Sequence, residues 1–205
     1  MKKPWQIHPD LTAERLGIVA ELLSGVRNQA ITEHAPPRGD TNWGLGCRVY
    51  ERSMFAVEQA VSDHAFLGVV DKQGLHFVFS IGVVPVRFYR GDHEDEADPR
   101  RLRRHDPELH AQQVAFDFVP EPKAEAALRL IVETDDAGRA TEIFIVQFGE
   151  DGKPYNPWSI PFNRTMVAID EFRKEGVPLQ APTVGELSPS TASEDGELKK
   201  TDEKN

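Results

Sequence analysis

Cysteine and long apolar runs are the clearest absences from this sequence of 205 residues. The chain has one cysteine, Cys47, which has no partner for an internal disulfide, so an oxidising compartment is not implied. No stretch approaches the roughly 18 consecutive apolar residues that a membrane-spanning helix needs. Residues 1–10 contain no apolar segment of signal-peptide length. Together these absences predict a cytoplasmic protein that has no membrane association.

Catalytic and metal-binding signatures are missing as well. The sequence has no HExxH, paired CxxC, GxSxG, P-loop or dinucleotide-binding fingerprint. The histidines are scattered, and the spacing of His105 and His110 does not place both rings on one helical face. Asp135 and Asp136 are typical turn residues. The sequence therefore assigns no catalytic residue, predicts no metal and no cofactor, and favours a non-enzymatic role.

The formal net charge is -10, which opposes non-specific binding to the phosphates of nucleic acid. One local exception is the run of Arg87, Tyr89 and Arg90, because basic and aromatic side chains on an exposed strand can stack against bases. The alternative is a polar outer face, since acidic residues follow at once from Asp92. Direct nucleic-acid binding is therefore not expected.

Helical periodicity marks two helices in the first third of the chain. The first opens near Asp10, with Asp10 or Thr12 as its capping residue. Its apolar residues recur at steps of three and four, at Leu16, Val19, Leu22, Leu23 and Val26. The second spans residues 45–62, where Cys47, Tyr50, Met54, Val57 and Val61 form one apolar stripe. Both stripes predict helices that pack against a common core.

Alternating apolar residues predict strands in the rest of the domain. A hairpin turns at Gly82, and Pro85 places its second strand at an edge or a bulge. A three-stranded meander covers residues 128–133, 141–148 and 155–162, and a short helix over residues 165–174 follows. The expected core contains Tyr50, Met54, Phe77, Phe79, Ile143 and Ile145.

This order of elements predicts an α+β fold. We expect an antiparallel sheet of about five strands, with the two N-terminal helices on one face and the short C-terminal helix closing the domain. Residues 1–176 form this single domain, and residues 91–106 form a charged loop within it. Residues 177–205 lack aromatic residues and are rich in acidic and small polar residues, which is typical of a disordered tail.

A candidate anion site lies at the start of the second helix. Gly44 and Gly46 flank the first residue of the predicted helix, and Arg48 and Arg52 lie one turn apart on the same face. Exposed backbone amides at a helix start bind anions, and the arginines add positive charge. The alternative is a tight turn into a helix whose arginines face water.

A candidate partner-binding segment follows the charged loop. Residues 113–118 begin with Gln113 and place apolar side chains at Val114, Phe116 and Phe118. The segment resembles the short linear motif by which bacterial replication and repair proteins bind the DNA sliding clamp, where an extended peptide presents alternate side chains to a groove. The resemblance implies an accessory factor recruited through the clamp without direct DNA binding. The alternative is a strand or loop that packs into the core.

Three functions are consistent with these features. The first is a non-enzymatic interaction or accessory protein with a protein partner such as the sliding clamp. The second is an enzyme or ligand-binding domain for an anionic small molecule or nucleotide at Gly44, Gly46, Arg48 and Arg52. The third is an antitoxin-like or inhibitor-like regulator. A deep pocket lined by arginines would favour the second function, and a shallow surface would favour the first.

Overall fold

A computed structural model describes residues 2–73, 76–116, 127–149 and 151–163. Six strands form one sheet in which their spatial order follows their order in the chain. The strands are β1 (Leu67–Gln73), β2 (His76–Ile81), β3 (Val84–Arg90), β4 (Ala127–Thr134), β5 (Ala140–Phe148) and β6 (Pro154–Ser159). The sheet and the helices around it make this an α+β protein, as the sequence predicts.

Five α-helices accompany the sheet in the described part of the chain. They are α1 (Pro4–Ile7), α2 (Ala13–Glu33), α3 (Asn42–Asp63), α4 (Pro99–Leu102) and α5 (Asp106–Phe116). Thr12 caps α2, because its hydroxyl accepts the Arg15 N–H, and Thr41 caps α3 in the same way through the Gly44 N–H. The second long helix therefore begins three residues earlier than its apolar stripe predicts. Within the described residues, none of the helices is long and apolar enough to cross a membrane.

The sheet is antiparallel except at its centre. β1–β2–β3 and β4–β5–β6 are two antiparallel units, and β3 and β4 pair in parallel to join them. The connection from β3 to β4 carries α4 and α5, as a parallel pair requires a crossover. Neither α5 nor this parallel pair is predicted from the sequence.

Both long helices cover one face of the sheet, as expected. Leu16, Val19 and Leu23 of α2 and Val57 of α3 are buried there. The strand residues of this core include Phe77, Phe79, Ile143 and Ile145, and Tyr50 and Met54 pack against it partly buried. The predicted core is confirmed for its four strand residues and only in part for Tyr50 and Met54. Gly82 has a φ of 61°, which confirms its place in the hairpin turn.

The predicted edge position of Pro85 is true only locally. β3 lies inside the sheet, but Pro85 belongs to its first half, which pairs with β2 through Val84, Pro85 and Val86. The second half, residues 87–90, pairs instead with β4. Pro85 is therefore placed where the ladder to β4 has not yet begun, so its missing N–H breaks no hydrogen bond to that strand.

The charged loop predicted at residues 91–106 contains defined structure on the second face of the sheet. It includes α4 and the start of α5, and Ala97 is buried with its N–H bonded to the Gly152 carbonyl oxygen at 3.0 Å. Ala97 and Leu102 pack against a small apolar cluster of Ile131, Phe144, Val146 and Phe148. The predicted helix over residues 165–174 and the predicted disordered tail over residues 177–205 lie outside the described residues.

Candidate anion-binding cleft

The central strand β3 creates a fork in the sheet. Its ladder with β2 stops at the Phe79–Val86 pair, although the same register would place Phe77 opposite Phe88. The Phe77 N–H instead donates a hydrogen bond to the hydroxyl of Tyr50 on α3 at 3.1 Å. β2 and β3 therefore separate, and the second half of β3 borders a cleft of about 590 Å³.

Helices and turns complete the walls of this cleft. α2 contributes one side, the first half of α3 contributes another, and the β4–β5 turn at residues 135–138 closes one end. All four residues of the second half of β3, from Arg87 to Arg90, line it. The cleft lies at the carboxyl end of β3, which pairs in parallel with β4, the position at which α/β sheets commonly bind ligands.

Arg27 is the most unusual residue of the cleft. It lies on the buried stripe of α2, four residues after Leu23, and only 5% of it is exposed. Its Nε donates to the Gly138 carbonyl oxygen at 2.6 Å, and it forms no ion pair within the described part of the chain. Burial, reinforced by the nearby positive charge of Arg90, lowers the pKa of the Arg27 guanidinium to about 10, and Asp135 offsets this only in part. A buried cation with a like-charged neighbour favours the arrival of an anion.

The other arginines of the cleft differ in whether protein groups already occupy their guanidinium groups. Arg90 ends β3, is exposed, and has no ion pair among the described residues. Arg101 lies with its guanidinium 4.5 Å from the centre of the Tyr89 ring. Arg87 is committed, because it donates to the Arg103 carbonyl oxygen at 2.9 Å and contacts Glu108 at 3.9 Å. Arg27 and Arg90 are therefore the arginines best placed to bind a ligand.

Two aspartates temper the positive charge at the mouth. Asp135 and Asp136 lie on the β4–β5 turn and line the same cleft. The Asp135 carboxylate accepts the Arg139 N–H at 2.7 Å, so it has the turn-forming role that the sequence predicts. Four arginines, Arg27, Arg87, Arg90 and Arg101, face these two aspartates in the lining. The cleft therefore has a positive balance in a chain whose overall charge is -10.

The anion site predicted at the start of α3 is only partly assembled. Gly44 and Gly46 lie inside the helix, and the Gly44 N–H is already taken by the Thr41 hydroxyl. Gly46 does line the cleft. Arg48 and Arg52 do not, because Arg48 pairs with Asp40 at 3.4 Å and Arg52 pairs with Glu33 at 2.5 Å. The arginines that line the cleft are thus Arg27 and Arg90, among others, and not Arg48 or Arg52. Anion binding at the helix start stays a prediction.

The residues that line the cleft come from segments that are far apart in the sequence, so no single motif predicts it. Arg87, Tyr89 and Arg90, which drew attention as a basic and aromatic strand, all line it. Arg27 is not among the residues that the sequence singles out in α2. Its spacing from Leu16, Leu23 and Ala30 marks it as an arginine on the buried face.

The clamp-like segment is helical in its described part. Gln113, Val114 and Phe116 lie in α5, and Phe118 lies outside the described residues. Gln113 and Val114 are exposed, whereas Phe116 is buried against the ring of His8 with the ring centroids 5.6 Å apart. The extended form that the motif requires is therefore not the form that these three residues have here. Recruitment to a sliding clamp stays a prediction.

A buried ion pair fixes α5 on the second face of the sheet. Arg129 of β4 and Glu108 of α5 are almost fully buried, with Nη1 and Oε1 2.6 Å apart. Arg129 also donates from Nε to the Arg101 carbonyl oxygen at 3.0 Å. These contacts connect α4 and α5 to β4, one of the central strands beside the cleft. The pair is not predicted from the sequence.

One group of side chains could hold a metal ion. Ligand atoms of Asp92, His93 and Glu133 lie within 4.8 Å of one another. His93 Nδ1 lies 2.6 Å from the Glu133 carboxylate, and the His93 ring stacks on Phe144. A hydrogen-bonded histidine and glutamate account for this geometry without an ion. His105, considered with His110 at the level of sequence, instead contacts His76, with the ring centroids 3.9 Å apart and the ring planes tilted by 54°.

Comparison with known proteins adds no family to this description, since no family model, curated protein or solved structure matches the chain.

Proposed function

We propose that the cleft at the β2–β3 fork binds an anionic small molecule. Arg27 is the main anion-binding residue, and Arg90 lies at the mouth of the cleft. One observation carries the proposal: Arg27 is buried in a cleft wall, forms no direct ion pair among the described residues, and lies near a second arginine, while the nearby charge of Asp135 offsets its burial only in part. Burying an isolated charge is unfavourable in free energy. In proteins such a charge is usually paired with an opposite charge or belongs to a functional site. An anion between Arg27 and Arg90 would supply the missing counter-charge.

The walls suggest what the rest of the ligand resembles. The cleft volume of about 590 Å³ lies within the range of roughly 300–1,000 Å³ that is common for small-molecule sites. Tyr50, Phe88 and Tyr89 supply aromatic surface, and Asp136 is an exposed acceptor at the mouth. A phosphate or carboxylate attached to a flat or hydroxyl-bearing body, such as a nucleotide, fits this set of groups. This is the ligand class of the second function considered from the sequence, moved from the helix start to the fork.

Thermal unfolding in the presence of anions tests the proposal. We expect ATP or inorganic phosphate to raise the midpoint of the wild type, because a ligand that binds only the folded state at one hundred times its Kd stabilises by roughly 2.7 kcal/mol. Arg27→Met should remove the shift, and Arg27→Lys should retain part of it. Phosphate, like sulfate, stabilises many proteins by exclusion from their surfaces, so the difference in shift between the variants is the readout.

A matched control separates the cleft from the helix start. Arg48→Met and Arg52→Met remove arginines of α3 that lie outside the cleft and are paired with Asp40 and Glu33. These variants should show the full wild-type shift. Equal shifts in the wild type and Arg27→Met would contradict the proposal. Loss of the shift in the Arg48 and Arg52 variants alone would place the anion at the helix start instead.

A further inference from the structure

A second concave surface lies between the outer sides of α2 and α3, away from the fork. Its volume is about 420 Å³. Its walls are mainly apolar, and they include Ile18, Leu22, Gly25, Val26, Phe55 and Ala56. Phe55 is 60% exposed there. We call this surface the α2–α3 groove. An apolar groove with an exposed phenylalanine is a surface that another segment or molecule covers.

The described chain ends at this groove. After β6, the Pro161 carbonyl oxygen lies 3.3 Å from the point at which Gly17 would carry a Cβ atom. Two residues later, the Asn163 N–H donates to the Glu21 carboxylate at 3.2 Å, and Glu21 lines the groove. The chain therefore advances along α2 from Gly17 to Glu21, in the direction of Gly25.

The lengths agree with a chain that runs beside the helix. Four residues of α2 rise about 6 Å, and two extended residues span about 7 Å. One more step of the same kind brings the chain to Gly25. At Gly25 no described atom lies within 4 Å of the position of a Cβ, so space is open there.

The next residues in the sequence have the composition that the groove requires. Residues 164–173 contain four large apolar side chains, Met166, Val167, Ile169 and Phe172, and the small apolar Ala168. Beyond them, residues 174–205 hold no aromatic residue. Covering Phe55 and the apolar walls with these side chains removes apolar surface from water on both sides.

We propose that residues 166–172 of the same chain dock in the α2–α3 groove. The position of Asn163 at its edge, the direction of the chain along α2 and the apolar composition of the next residues together identify the occupant. The inference is independent of the anion-binding cleft, which lies on the other side of α2 and α3 and shares no lining residue with the groove.

Disulfide cross-linking within the full chain tests the proposal directly. In a Cys47→Ser background, Gln29→Cys at the groove is combined in turn with single cysteines at positions 166–172. At least one pair should form an intramolecular disulfide under mild oxidation, well above the yield of the control pair Gln29→Cys with Ser193→Cys. Yields no greater than the control would overturn the proposal, and links formed only between chains would assign the groove to a second copy instead.

A second experiment reads the exposure of the groove. Ile169→Asp with Phe172→Asp in the full chain should raise the fluorescence of anilinonaphthalene sulfonate several-fold, because the dye binds exposed apolar surface. Leu187→Asp makes the same chemical change outside the proposed segment and should leave the signal unchanged. Adding Phe55→Asp should lower the raised signal, which places the dye at the groove. An unchanged signal in the Ile169 and Phe172 variant, with its circular dichroism retained, would contradict the docking.

Discussion

The carboxylate of Asp10 lies where Gly82 would carry a side chain. Asp10 Oδ2 accepts the N–H of Val83 at 3.1 Å, and Gly82 adopts a φ of 61° in the same turn. A Cβ atom on Gly82 would collide with the Asp10 carboxylate. This contact fixes the segment before α2 to the turn between β2 and β3. The turn leads directly into β3, the strand that forms the fork.

Gly82→Ala should destabilise the protein by roughly 2 kcal/mol or more, because it combines a strained positive φ with a collision against Asp10. Asp10→Gly removes the whole side chain that a Cβ on Gly82 would meet, its Cβ included, so the double variant should be less destabilised than the sum of the two single variants. Urea unfolding of all four proteins measures the coupling. Strict additivity would show that Asp10 has room to move aside.

Acid unfolding should depend on Asp10. Burial acts to raise the pKa of its carboxyl, but hydrogen bonds from the Val83 N–H and from Arg15 outweigh it, so the pKa lies below the ordinary value of 3.8. The unfolded state then binds the proton more tightly, and Asp10 stabilises the fold above pH 3.8. This contribution is lost as the pH falls through the lower, folded pKa.

Asp10→Asn should therefore cost about 1 kcal/mol at neutral pH, since one partner of a half-exposed charged hydrogen bond is removed. The gap between the two proteins should close as the pH falls below the folded pKa. Unfolding free energies measured from pH 7 to pH 2 check this. A gap that stays constant over that range would assign the loss to something other than ionisation.

The buried pair of Arg129 and Glu108 should be far more sensitive than an exposed pair. Glu108→Gln leaves the buried Arg129 without its counter-charge and should cost roughly 3–5 kcal/mol. Glu33→Gln, which breaks the exposed pair with Arg52, should cost about 1 kcal/mol or less. Replacing both buried partners, by Glu108→Leu and Arg129→Met, should recover part of the loss. Similar costs for the buried and the exposed variants would contradict this assignment.

Gly46→Ala should stabilise the protein by about 1 kcal/mol, because alanine is the better helix former and no described atom lies within 4 Å of the new Cβ. The thermal shift with phosphate should remain, since Arg27 and Arg90 are unchanged. A loss of the shift would indicate that the backbone at Gly46 takes part in anion binding, as the sequence first suggested.

The helices on the main core and the two antiparallel units follow from simple periodicity. Leu16, Val19 and Leu23 repeat as a helix requires, and Phe77, Phe79 and Ile81 alternate as a strand requires. Gly82 and the two glycine-containing turns of the meander then set the hairpins. Local pattern was sufficient where the repeating positions are apolar and buried, as they are in these two repeats.

The pattern fails where polar side chains are the buried ones. α5 buries Glu108 and Gln112 as well as Ala115 and Phe116, and it exposes Leu109 and Val114, so its buried face is not the simple apolar stripe expected of an amphipathic helix. The reason is the Arg129 guanidinium, which lies far away in sequence and needs Glu108. The helical spacing of Arg27 places it on the buried face of α2, but its partner, the Gly138 carbonyl oxygen, lies 111 positions away in the sequence. A local period can show that a polar residue is buried, but it does not identify a distant partner.

The change of pairing partner along β3, from β2 in its first half to β4 in its second half, has a kinetic consequence. Each antiparallel unit closes through short turns, whereas the β3–β4 pair must bring together strands separated by α4 and α5, and such distant contacts form slowly. The fork exists only once this last pairing is complete. A refolding chain should therefore gain most of its secondary structure before it can respond to phosphate, and ligand-dependent signals should report the final folding step alone.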